Sequence, residues 1–197
     1  MLIRGYVMLI FLCPLSKFAE VPSAMSEVPK WFERKFDLSF PVELYPNVRI
    51  RLQGAPVRLE ELVRTIPHDV LIRKSGQGWS AQENAGHMLD LESLWLARVE
   101  DFLKGTATLS AADLTNRKTD DAGHNQRPTE EILVGFRKAR RKLLETASEL
   151  DPAVYSKTAL HPRLKTPMRL VDHLYFVAEH DDHHLACIWA LIKRSTI

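Results

Sequence analysis

EHDDHH, residues 179–184, sets His180 and His184 one helical turn apart. Around it, apolar residues recur at helical rather than strand spacing: Leu170, Leu174, Val177, Ile188, Leu191 and Ile192. On a helix, this spacing puts both histidines on one flank of the buried stripe. Side chains four residues apart have Cβ atoms about 5–6 Å apart, so both rings can reach one metal ion. The same residues would also fit a solvated helix end, or core histidines that are hydrogen-bonded to their neighbours.

A second histidine lies on another predicted helix, which runs from about Ser80 to Lys104. Ser80 is a natural N-cap, and Glu83 three residues later completes a capping box. Gly105 marks the end of the helix. Because His87 is followed by leucines four and seven positions later, it also points towards a core. This segment therefore predicts a third inward imidazole, on a different helix from the first two.

Three inward imidazoles, on His87, His180 and His184, predict a metal site with an open coordination position. Structural zinc sites are closed by four protein ligands, whereas catalytic sites hold three and leave a position for water or substrate. Cysteine offers no alternative cluster, because the chain has only Cys13 and Cys187.

The histidine segments resemble those of the DinB/YfiT-like superfamily. The matching patterns are WSxxExxxHMLDLE at residues 79–92 and EHDxHHL at residues 179–185, and the likeness extends from about Trp31 to Ile192. The resemblance implies a four-helix bundle with one histidine on the second helix and an HxxxH pair on the last. It also implies a divalent metal ion, such as zinc, nickel or iron. Some members of the family are thiol-dependent S-transferases or isomerases that use a low-molecular-weight thiol, and many have no assigned reaction.

Other polar residues are candidates for orienting the histidines or lining a pocket. Metal-bound imidazoles usually donate their second N–H to a carboxylate or carbonyl, which makes Asp90 and Asp181 candidate partners. His183 is expected at the surface or behind the ligands, and His173 lines the pocket or lies in the core. His124 is a further pocket candidate.

The fold expected is all-α, one four-helix bundle over residues 25–197 with no sheet. After an extended segment through Tyr45–Pro46, the apolar pattern of the first helix spans Val57–Ile66. The third helix begins near Pro128, and the fourth begins with Thr166 as cap and Pro167 at its first position.

The connection Thr106–Arg127, between helices two and three, is long and polar for a bundle, where links usually span about 2–8 residues. Long ordered loops are often functional, so it could cover the mouth of the metal site. A mobile excursion without a role fits the sequence equally well.

Composition excludes several classes of partner. The chain has 27 basic and 25 acidic residues, a net charge of +2, which gives no reason to expect nucleic acid or an anionic membrane. Residues 1–24 contain an apolar run too short to span a bilayer. We interpret them as a non-domain segment upstream of the true start at Met25, in preference to a signal peptide, so the protein is expected in the cytoplasm.

The function predicted is that of a metal-dependent transferase or hydrolase acting on a small molecule. The alternative is a non-enzymatic metal-binding or stress-response protein whose site is structural or vestigial. A zincin protease is disfavoured, because residues 180–184 have aspartate where HExxH has glutamate as general base. A homodimer is also expected, because the apolar residues exceed what one small bundle can cover and homodimers are the commonest oligomers. These residues include Trp31, Phe32, Phe36 and Trp189.

Overall fold

The computed structural model describes residues 27–74, 76–148 and 150–195. Four long helices form a bundle, and they are α1 (Tyr45–Val63), α3 (Ala81–Lys104), α5 (Thr129–Ser148) and α6 (Leu170–Ser195). Two short helices, α2 (His68–Leu71) and α4 (Arg117–Asp121), lie in the connections, with 3-10 turns at Trp31–Glu33, Val42–Leu44, His124–Gln126 and Pro152–Ser156. Both α3 and α1 pack against α5 and α6. This arrangement confirms the predicted four-helix bundle.

The start and end of α3 follow its sequence signals. The N–H of Glu83 donates to Ser80 Oγ over 3.0 Å, and the N–H of Ser80 donates to Glu83 Oε2 over 2.8 Å. Gly105 ends the helix with φ of 70°, in the left-handed region that glycine adopts without strain. Because the capping box sets where α3 begins, it also sets the direction in which His87 points.

The first helix is longer than its apolar pattern predicts. It begins at Tyr45, with Pro46 in the first turn, where a missing N–H is harmless. Tyr45 and Pro46, which were expected to be extended, are therefore helical. Val57 is 55% exposed, so counting it in the buried stripe was wrong. The side chains of α1 that are buried in the core are Val48, Leu52, Ala55, Leu59 and Val63.

The prediction of no sheet was wrong in one place. Strands β1 (Thr158–Leu160) and β2 (Pro167–Arg169) pair antiparallel, with Ala159 opposite Met168. The predicted start of the last helix at Thr166 was therefore also wrong. Instead the carboxylate of Asp172, in the first turn of α6, accepts the N–H of Arg169 over 2.8 Å and caps the helix there.

A buried ion-pair layer divides the bundle core. Arg140 on α5 is 1% exposed and binds Glu92 of α3 over 2.6 Å and Asp181 of α6 over 2.5 Å. It also donates to the carbonyl of Leu52 on α1 over 3.0 Å. Apolar clusters lie on both sides of this layer. The layer thus joins all four long helices through one guanidinium.

The polar connection 106–127 packs onto the bundle. Near its beginning, Leu109 donates its N–H to the carbonyl of Leu160 over 3.0 Å. Further along, Thr119 and His124 are buried. No helix within the described ranges is long and apolar enough to cross a membrane. The prediction for residues 1–24 falls outside the described residues.

Candidate metal centre

The bundle brings the three imidazoles together. His87 comes from α3 and His180 and His184 from α6, all three buried. One ring nitrogen from each lies within 4.8 Å of the others. The ring centroids are 4.4 Å apart for His180 and His184, and 4.8 Å apart for His87 and His184. The fold therefore brings His87 next to two histidines that lie about ninety residues later in the sequence.

The tautomer of His184 is fixed by Asn84. The Nδ2 group of Asn84 donates to the carbonyl of Ser80 over 2.8 Å, which sets the orientation of the amide. Asn84 Oδ1 then faces Nδ1 of His184 at 2.9 Å. Since this oxygen only accepts, Nδ1 carries the proton and the lone pair is on Nε2 of His184.

The tautomer of His87 is fixed through Thr119. The hydroxyl of Thr119 donates to Asp90 Oδ2 over 3.0 Å, so its oxygen accepts from His87 Nδ1, also 3.0 Å away. The same carboxylate oxygen lies 2.8 Å from Nε2 of His124. This chain of hydrogen bonds leaves the lone pair of His87 on Nε2. Asp90 acts on His87 through Thr119 and not directly, and His124, a pocket candidate from the sequence, bonds Asp90 and does not line the cavity described below.

The electrostatics keep the three rings neutral. Burial lowers the pKa of His87 from 6.5 to about 4, and it lowers the pKa values of His180 and His184 well below 6.5. Metals bind the neutral imidazole, so this burial favours binding.

The spacing of the nitrogens fits a metal ion. Nε2 of His180 lies 3.2 Å from Nε2 of His184. Two nitrogens on one tetrahedral ion at about 2.0–2.1 Å would be roughly 3.3 Å apart. Three neutral imidazoles, two of them oriented by hydrogen bonds and one pair with nearly this spacing, are a suitable donor set for a divalent ion.

A cavity of about 1040 Å³ adjoins the three histidines, all of which contribute to its wall. The lining also includes five Trp and Phe rings: Trp31, Phe32, Trp79, Trp95 and Phe176. Trp31 lies 5.0 Å from His180 and Trp79 lies 4.6 Å from His87, between ring centroids. The size suits a small organic molecule, since ligand pockets usually measure about 300–1,000 Å³.

The remaining candidates occupy different positions. Asp181 binds Arg140 through both carboxylate oxygens, so its interpretation as the group that orients a histidine is corrected. His173 is fully buried beside Trp95 and does not line the cavity. His183 lines the cavity, with its ring 5.0 Å from that of His184.

Sequence reasoning missed Asn84 and Thr119. Asn84 lies three residues before His87 and therefore on the same side of α3, a signal that could have been used. Thr119 lies in the polar connection, where no periodicity indicates which side chain turns inward.

Comparisons with known proteins agree with this architecture. A family model described as DinB superfamily matches residues 51–188. No curated protein matches the chain significantly. Among solved structures, YfiT from Bacillus subtilis aligns with a TM-score of 0.71 and 18% identity, covering 82% of this chain and 93% of that one. YfiT is described as a probable metal-dependent hydrolase with an unusual four-helix bundle topology. At this identity the likeness concerns the fold, and the family match covers most of the chain: the protein belongs to the DinB superfamily.

Proposed function

We propose that this protein is a metal-dependent enzyme that holds one divalent ion on His87, His180 and His184 and acts on a small molecule in the adjoining cavity. The observation that carries the proposal is the convergence of three neutral imidazoles at the wall of a large cavity. Zinc, nickel and iron are the candidate ions.

The residues of the site have separable roles in this proposal. A divalent ion supplies a Lewis acid, which lowers the pKa of a water or thiol that it binds. Asn84 and the Thr119–Asp90 pair hold two of the imidazoles in the tautomer that presents Nε2. The aromatic wall, including Trp31 and Trp79, excludes water from the substrate.

The reaction class proposed is hydrolysis or transfer to a low-molecular-weight thiol. The description of YfiT as a probable hydrolase favours the first. Family members that use thiols favour the second. Cys187 lines the cavity, but burial raises the pKa of its thiol to about 11, so a nucleophilic thiol would come from a cosubstrate.

Metal analysis tests the binding step. Purified protein should contain about one divalent ion per chain, as expected for a three-ligand site. Replacing His184 with alanine should remove a ligand and lower metal affinity by more than the roughly 10–100-fold seen when a supporting residue is lost. The matched control is His68→Ala, since His68 is an exposed histidine outside the cluster. Equal metal content in both variants would contradict the proposed site.

Activity separates the enzyme from a metal-binding protein. The loaded protein is screened against an electrophile with several small thiols, and against ester and amide substrates without thiol. Turnover that disappears in His184→Ala and remains in His68→Ala supports an enzyme. Stoichiometric metal without turnover in either screen would favour the non-enzymatic alternative.

A further inference from the structure

Two arginines at the cavity lie away from the histidine cluster. Arg98 on α3 is 1% exposed and lines the cavity. Its Nε donates to the carbonyl of Ser110 over 2.8 Å, and its guanidinium lies 5.4 Å from the ring of Trp95. A cation buried this deeply normally has a carboxylate partner. Asp101 is close enough to raise the pKa of Arg98, yet the two form no ion pair.

Arg163, in the segment between β1 and β2, is the second cation at the cavity. Its guanidinium lies 5.1 Å from the ring centre of Phe32 and 5.8 Å from that of Phe176. Its Nη2 is buried and has no hydrogen-bond partner among the residues that the structure describes. A buried donor without a partner is costly, and a guanidinium is especially so. A ligand with acceptor oxygens would remove this cost.

The two arginines belong to one electropositive region. The charge of Arg163 lowers the pKa of Arg98, which burial has already lowered, to about 10. Between them, His161 accepts a hydrogen bond from Arg98 Nη1 over 3.1 Å. Burial and both arginine charges lower the pKa of His161 to about 3, so it adds no charge.

In the part of the chain that the structure describes, the acidic side chains that line the cavity do not pair with Arg98 or Arg163. Within the described ranges, the acidic residues that line the cavity are Glu27, Glu33 and Asp113. All three are exposed. Glu33 pairs with Lys30, and Asp113 accepts hydrogen bonds from Thr115 and Arg117. The buried part of the cavity therefore carries positive charge.

The arginines lie one aromatic ring away from the proposed metal ligands. The ring of Trp95 is 5.4 Å from His180 on one side and 5.4 Å from Arg98 on the other. Similarly, the ring of Trp31 is 5.0 Å from His180 and 5.9 Å from Arg163. A single small molecule can therefore contact both ends across an apolar wall.

We propose that Arg98 and Arg163 form an oxyanion-binding subsite, and that the substrate has an apolar body ending in a carboxylate or similar oxyanion. Arginine suits this role because its planar fork donates two parallel hydrogen bonds to such a group. The assignment of the reacting end to the histidines rests on the proposed function, whereas anion binding at the arginines does not require a metal.

Calorimetric titration of metal-free protein at pH 7.5 tests the subsite. The ligands share one body and differ in their head group: 3-phenylpropionate, its neutral amide and 2-phenylethylphosphonate. The wild type should bind the carboxylate about tenfold more tightly than the amide, because a charge-assisted hydrogen bond is lost with the amide. The phosphonate should also bind more tightly than the amide, because arginine binds either oxyanion, and a phosphonate that binds no better than the amide would count against the subsite.

Three variants test whether the preference for the carboxylate over the amide comes from Arg163. In Arg163→Gln the preference for the carboxylate over the amide should fall clearly but not vanish, because Arg98 remains, and Arg163→Lys should restore part of the lost preference by restoring charge. The control is Arg194→Gln, which removes one positive charge from an exposed position on the same cavity. Equal binding of acid and amide by the wild type, absence of binding by every ligand, or a preference that is undiminished in Arg163→Gln would each overturn the subsite. Metal content measured on aliquots of the same preparations before the metal is removed separates this failure from failure of the metal site.

Discussion

Thr119 Oγ1 and His87 Nδ1 lie 3.0 Å apart, although one belongs to α4 in the polar connection and the other to α3 in the bundle. The Thr119 hydroxyl in turn donates a hydrogen bond to the carboxylate of Asp90, which is also hydrogen-bonded to His124 of the same connection. Of the two roles that the sequence left open for residues 106–127, this contact supports the functional one. The connection supplies the groups that fix one imidazole.

Thr119→Val should weaken metal binding while leaving the fold intact. Valine has nearly the same shape as threonine but cannot accept from His87, and loss of such supporting residues typically costs about 10–100-fold in metal affinity. Competition with a chromogenic chelator measures the change. Thr115→Val is the matched control, since the Thr115 hydroxyl bonds only the exposed Asp113 in the same connection. If both variants bind metal equally well, Thr119 does not orient His87.

The stability of the metal-free protein should fall as the pH decreases from 6.5 towards 4. The pKa of His87 is lowered to about 4 by burial, so within this window the unfolded chain binds the proton and the folded chain does not. The stabilisation that the lowered pKa of His87 gives the folded protein is complete above pH 6.5. About 2 kcal/mol of it is lost between pH 7.5 and pH 5. Urea unfolding of the wild type and of His87→Leu measures it. The variant should show a shallower pH dependence, and identical slopes would refute the assignment.

The same burial changes an expectation from the sequence. With an ordinary histidine pKa near 6.5, metal binding would weaken as the pH fell through that value. The lowered pKa of His87 predicts that protons begin to compete only at lower pH. Burial in three dimensions, and not residue type, sets this value.

How much the sequence could predict depended on periodicity. His180 and His184 could be placed because four-residue spacing on an amphipathic helix determines their direction, and alignment with Leu91 and Leu94 did the same for His87. The strands 158–160 and 167–169 are three residues each, too short for an alternating pattern to be recognised. Asn84 contacts a histidine 100 positions away, and Thr119 contacts one 32 positions away. Such contacts depend on how distant segments pack together, which no local sequence pattern predicts.

Arg140→Met should strongly destabilise the bundle. The change removes the cation shared by Glu92 and Asp181, and burial then leaves two carboxylates without a partner. Breaking a buried pair in this way typically costs about 3–5 kcal/mol. Arg141→Met, on the exposed side of the same helix, should change the free energy of unfolding by less than about 0.5 kcal/mol. Similar urea midpoints for the two variants would show that the layer contributes little.

Two glycine substitutions should have opposite effects. A Cβ at Gly86 would lie 2.3 Å from ring atoms of His124, which is held 2.8 Å from Asp90 and cannot easily retreat. Overpacking of this kind typically costs about 1–3 kcal/mol, and the displaced ring should also disturb the hydrogen bonds that support His87. At Gly54 the nearest atom is Arg58 Nε at 4.0 Å, so alanine fits and should stabilise α1 by about 0.5–1 kcal/mol.

Thermal and urea unfolding should therefore shift in opposite directions for Gly86→Ala and Gly54→Ala, and metal affinity should fall only in the first. A Gly86→Ala protein with wild-type stability and metal affinity would mean that His124 is free to move, and that its bond to Asp90 does not support the metal site.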